Sequence, residues 1–164
     1  MKSRTSGHTV LELLVVVMML AILAAIAIPA ASVGDDRKLD TMQLALQDAI
    51  DHAQSLSFHQ GVAYGVRFNT AGQWFAVVNE NGVPVDDPLS HGDYLIRMTN
   101  PSPDLPNGVH LDYAMFGPRP LAGFDEKGVL IKGGEVRITA GKTQRILTCD
   151  TATNQLKANT SNSN

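Results

Sequence analysis

Glu12 is the residue whose placement asks for chemistry. It opens an apolar run: from Leu13 to Ile28 no residue is polar, and Pro29 to Ala31 extend it. The run reaches about 19 residues, roughly 28 Å as a helix at ~1.5 Å per residue. A secretory signal would hold only ~7–15 apolar residues before a small-residue cleavage site. A carboxylate in such a helix costs on the order of 2.5–3.5 kcal/mol, and a cationic partner offsets that cost. Ahead of it, the leader MKSRTSG carries Lys2 and Arg4, no acid, and ends in Gly7, five residues before Glu12.

Gly7, His8, Thr9 and Glu12, ahead of a long apolar helix, resemble the type III signal of type IV pilins and type II secretion pseudopilins. The resemblance implies that a prepilin peptidase cuts between Gly7 and His8 and N-methylates His8. It also implies that Glu12 pairs with the terminal amine of a neighbouring subunit in the assembled filament. His8 stands where the family usually places Phe or Met. Pro29 matches a proline common in these helices, where it removes a backbone hydrogen bond and permits a kink.

These residues need elements to position them. Lys2 and Arg4 predict a cytoplasmic N terminus by the positive-inside tendency, which places the rest of the chain in the periplasm or outside. The expected location is thus the inner membrane, single-pass, with lipid around the first helical half. Leu39, Met42, Leu46, Ile50 and Ala53 recur at steps of three and four, against a polar face of Asp40, Gln43, Gln47, Asp48 and Asp51. This predicts a nearly continuous helix of about 50 residues from His8, ended by Gly61. The period then becomes two. Val62 to Phe68 and Trp74 to Val78 flank the turn Asn69-Thr70-Ala71-Gly72, a predicted hairpin. Further short strands are predicted at 93–98, 109–113, 121–124, 135–139 and 144–149, with NPSPDLPNG as a break.

The expected fold class is α+β and pilin-like, one long N-terminal helix, its first half transmembrane, packed on an antiparallel β-sheet. The expected divisions are a leader at 1–7, a transmembrane and assembly helix at 8–31, and an amphipathic half-helix at 32–60. A β-rich domain at 61–158 and a disordered polar tail at 159–164 complete the chain. The late segments FDEKGVL and GGEVRITAGKTQRILTCD resemble the H-type minor pseudopilins and related minor pilins.

Other chemistry has weaker support. His52 and His59 lie two helical turns apart, ~10 Å, too far to share one ion. Glu80, Asp86, Asp87 and Asp93 offer oxygens for calcium without the alternating spacing of a known loop. Cys149, the one cysteine, excludes an internal disulfide and sits in an apolar strand pattern. No nucleophile elbow or phosphate loop is present, so the chain reads as a non-enzyme with no metal and no cofactor. Residues 35–126 hold thirteen acids and five bases, a local −8, whereas 127–164 hold two acids and six bases, a local +4. Lys132, Arg137, Lys142 and Arg145 in that basic region are candidate contacts to nucleic acid or a protein partner. The mature chain is acidic overall, and no aromatics interleave with the bases, so DNA is the less favoured partner.

The primary expectation is a minor pseudopilin of a type II secretion system, with prepilin peptidase, other pseudopilins or pilins, and membrane lipid as partners. The alternatives are a minor pilin of a type IV pilus, with DNA binding in uptake left open, and an unprocessed single-pass anchor carrying a periplasmic binding domain.

Overall fold

The computed structural model describes residues 10–88, 91–99, 101, 103, 105–153 and 155–162, with the side chains at 11, 22–33 and 159–162 outside that description. Within it the chain divides into two compact units, residues 1–34 and 35–164. One α-helix, α1, covers Val10–Gln60. Eight strands follow: β1 Tyr64–Asn69, β2 Trp74–Asn79, β3 Leu95–Arg97, β4 Val109–Phe116, β5 Leu121–Phe124, β6 Gly134–Ala140, β7 Thr143–Cys149 and β8 Leu156–Asn162.

In the second unit, the helical stripe at Leu39, Met42, Leu46, Ala49, Ile50 and Ala53 is fully buried and belongs to the same core cluster as Val66, Phe75, Leu111, Ile138 and Leu147. Burying one such large aliphatic side chain contributes ~1.5–3 kcal/mol, which outweighs its lost rotamer freedom. The helix stops where its backbone finds other partners. Gly61, at φ 65°, donates its N–H to the Ser57 carbonyl at 3.0 Å, and the buried Ser57 hydroxyl accepts the N–H of Tyr64 at 3.0 Å.

The strands form two antiparallel sheets of four, in the orders β3-β2-β1-β5 and β4-β6-β7-β8. The β1–β2 hairpin pairs Asn69 with Trp74 around its turn, where the Asn69 Oδ1 accepts the Gly72 N–H at 2.6 Å. Gln73 beside it holds φ 51°, and its amide bonds both ways to Leu111 on β4, Nε2 to the carbonyl and Oε1 from the N–H, each at 2.9 Å. One side chain thereby ties the first sheet to the outer edge of the second, next to the bulge between Leu111 and Tyr113.

Several expectations are corrected. The fold is not the pilin-like one expected, a long half-transmembrane helix laid on one antiparallel sheet. The strands divide into two sheets, because β5 leaves β4 through Gly117-Pro118 and pairs with β1 instead. Among the described residues no helix is long and apolar enough to cross a membrane. A transmembrane, single-pass anchor in the inner membrane is therefore unsupported. The tail expected to be disordered also differs, since residues 159–162 lie in β8 and pair with β7 from Thr143 to Ile146.

Candidate assembly surface

Among the described side chains of the first unit, the large apolar ones point outward. Val10 is 85% exposed, and Leu13, Leu14, Val15, Val16, Val17, Met18, Met19 and Leu20 are each between 43% and 64% exposed. At 100° per residue, eight consecutive positions face every direction around the axis, so this is an apolar cylinder rather than a stripe. Glu12 lies in its first turn, exposed, where the helix dipole favours a carboxylate. Gly7 and His8, the expected cleavage and methylation positions, lie outside the described residues. Pro29 is within α1, but its side chain, and with it the expected kink, also lies outside them.

The structure does not bring the four basic candidates together. In β6 the inward residues are Val136, Ile138 and Ala140, which turns Arg137 outward; in β7 they are Thr143, Arg145, Leu147 and Cys149. Arg137 and Arg145 thus occupy opposite faces of one sheet. Arg145, 7% exposed, points at the helix, where its Nη1 donates to Asp40 Oδ1 at 2.6 Å and to Gln43 Oε1 at 3.1 Å. Arg137 pairs with Glu135 at 3.2 Å and lies 5.6 Å from the centre of the Tyr113 ring. Lys132 precedes β6 and Lys142 sits in the β6–β7 turn, both exposed.

The other sequence candidates are also dispersed. His52 stacks on Tyr94 with ring centres 5.2 Å apart, while His59 bonds back to the Ser55 carbonyl at 2.8 Å. Burial, with Asp48 and Asp87 nearby, pushes the Tyr94 hydroxyl up to about 12. Burial also pushes the Cys149 thiol up to about 11, aided by Asp150 and Asp51, a setting that disfavours the nucleophilic thiolate. Among the described residues no group of three or more His, Cys, Asp or Glu is arranged to hold a metal ion.

A cleft of about 310 Å³ escaped the sequence reading. It opens beside β5 and is lined by Phe116, Pro118, Arg119, Leu121, Ile131 and Lys132 together with Gly123. A second cleft of about 170 Å³ shares Leu121, Gly123 and Ile131 and reaches Gly65 and Arg67 on β1. The strand glycines Gly65 and Gly123 are cross-strand partners: a Cβ on Gly65 would stand 2.7 Å from the Ala122 carbonyl oxygen, and one on Gly123 would stand 3.5 Å from Ile131 Cδ1 in this space.

No family model matches this chain, and neither does any curated protein or solved structure with which it was compared.

Proposed function

We propose that this chain is a non-enzymatic structural subunit, a minor pseudopilin of a type II secretion pseudopilus, released for assembly by a prepilin peptidase cut between Gly7 and His8. The observation that supports this most is the exposed apolar cylinder from Leu13 to Leu20. A continuous apolar surface of that kind calls for a cover, and the apolar helices of other fibre subunits supply a matching one. Covering eight half-exposed side chains contributes on the order of 1 kcal/mol each. That sum is similar to the ~4–15 kcal/mol cost of association, so packing alone leaves orientation and register weakly specified. Glu12 adds the directional contact: in the fibre its carboxylate takes the new terminal amine of a neighbouring subunit, in a setting where opposite charges count for more than in water.

N-terminal sequencing after co-expression with a prepilin peptidase tests the reading. The wild-type chain is expected to begin at His8, and Gly7→Val to remain uncut, because a β-branched side chain hinders entry of the extended backbone into the peptidase cleft. Maturation of Gly7→Val at the normal rate would overturn it.

A further inference from the structure

The cleft beside β5 has two properties that point to the same kind of occupant. The first is an unfilled strand edge. Phe68 donates its N–H to the Pro120 carbonyl at 2.9 Å, and in the register that pairs Val66 with Ala122 this turns the backbone groups of Pro120, Ala122 and Phe124 toward β1. Leu121 and Gly123 therefore direct theirs the other way, into the cleft. The Gly123 carbonyl accepts the Ile131 N–H at 2.9 Å, where the chain briefly lies alongside β5 before departing toward β6. The Gly123 N–H and both backbone groups of Leu121 take no hydrogen bond among the described residues.

The second property is charge. Arg119 and Lys132 stand at the rim of an otherwise apolar lining of Phe116, Pro118, Leu121 and Ile131. Ile131 is 60% exposed. The adjoining cleft adds Arg67, whose Nη1 donates to the Gly82 carbonyl at 3.2 Å, beside one acid, Glu80. Lys132 lays its stem over Gly117, where a Cβ would stand 2.6 Å from Cδ, so the chain's own glycine makes room for the cation at the rim.

We propose that this cleft receives an extended, acidic segment of a partner protein, which adds as a strand to the free edge of β5. Both main-chain groups of Leu121 and the N–H of Gly123 pair with the incoming backbone. Alternate side chains of that segment then meet different surroundings, one set entering the apolar floor and the other, carrying carboxylates, reaching Arg119 and Lys132. A nucleic acid fits less well, because its phosphates would meet the cations but leave the apolar floor and the edge amides without partners. This inference goes beyond the assembly reading and uses a surface distant in sequence from the apolar helix.

The test uses the full chain and labelled probes: a short peptide alternating valine and aspartate, its asparagine and lysine counterparts, and a single strand of oligothymidine. Fluorescence anisotropy should show binding of the aspartate peptide that weakens with salt, with much weaker binding of the other three. The double variant Arg119→Glu with Lys132→Glu should lower that affinity about tenfold or more, as expected for two exposed ion pairs turned repulsive. Amide hydrogen exchange on the wild-type chain gives a readout that needs no variant: the Leu121 and Gly123 amides should slow when the aspartate peptide is bound. Equal binding of the asparagine peptide, an indifferent double variant, unchanged exchange at those amides, tighter binding of oligothymidine, or no peptide binding would each overturn the proposal.

Discussion

Replacing Asp40 and replacing Arg145 should have opposite consequences, although the two residues share one ion pair. The guanidinium is the desolvated member, with its side chain 8% exposed against 63% for Asp40. Its Nη1 has two acceptors, while its Nε is buried without a partner. Asp40→Ala leaves a buried cation with the neutral Gln43 oxygen alone, and such losses cost ~3–5 kcal/mol for a fully buried pair. Water around Asp40 already screens part of the attraction, so the expected cost here is about 2–3 kcal/mol. Arg145→Met removes the desolvated charge and the orphaned Nε together, fills similar volume, and leaves Asp40 hydrated. It is expected to fall between neutral and about 1 kcal/mol stabilising. Equilibrium urea unfolding of the full chain measures both through the transition midpoint at constant slope. The double variant closes the cycle, with Asp40→Ala costing little once Arg145 is gone. A loss above about 2 kcal/mol for Arg145→Met, or an indifferent Asp40→Ala, would refute the reasoning that burial of the cation dominates this pair.

Three further outcomes follow from other parts of the core. Gln73→Ala loses both bonds to Leu111 while keeping the positive φ, and should lower stability by about 2–3 kcal/mol in the same unfolding assay; Gln73→Gly relieves the backbone and should lose less. Cys149, buried in β7 with a raised thiol value, should label with a thiol reagent only at the rate of unfolding, read by mass spectrometry with and without urea. Tyr94 and Cys149 both have folded values above their ordinary ones, at about 12 and about 11. Above the ordinary value the unfolded chain loses a proton that the native state keeps, so each contributes stability that is present at neutral pH and declines as pH rises through the alkaline range. Urea midpoints against pH should show this decline, and Tyr94→Phe should flatten its upper part.

The sequence carried local structure better than it carried pairing. The three- and four-residue steps from Leu39 to Ala53 mark the buried stripe because a helix repeats every 3.6 residues, and the Asn69 to Gly72 turn marks the first hairpin. The division into two sheets was not legible, because β4 and β5 are neighbours in sequence yet pair with β6 and β1, a choice made by tertiary packing. The basic region shows the same difference at the level of a site. Val136 and Ile138 predict that Arg137 faces outward, but Ile146 and Leu147 are adjacent and apolar, so alternation alone leaves the face of Arg145 open. Only the helix residues Asp40 and Gln43, over a hundred positions away, decide that it turns inward. The β5 cleft gathers Phe116 to Gly123 with Ile131 and Lys132 through strand pairing, and no one of them carries a signal by itself.

The assembly reading rests on the exposed apolar cylinder, and site-directed crosslinking tests that surface most directly. The only native thiol, Cys149, is buried, so a cysteine placed at Val16 reports from a defined position. In cells carrying the secretion machinery, Val16→Cys should crosslink to other pilin-like subunits after cleavage, and Glu12→Ala in the same chain should reduce that crosslinking without preventing maturation. Val16→Cys protein that matures and yet forms no crosslink to any pilin-like subunit, while secretion proceeds, would contradict the account.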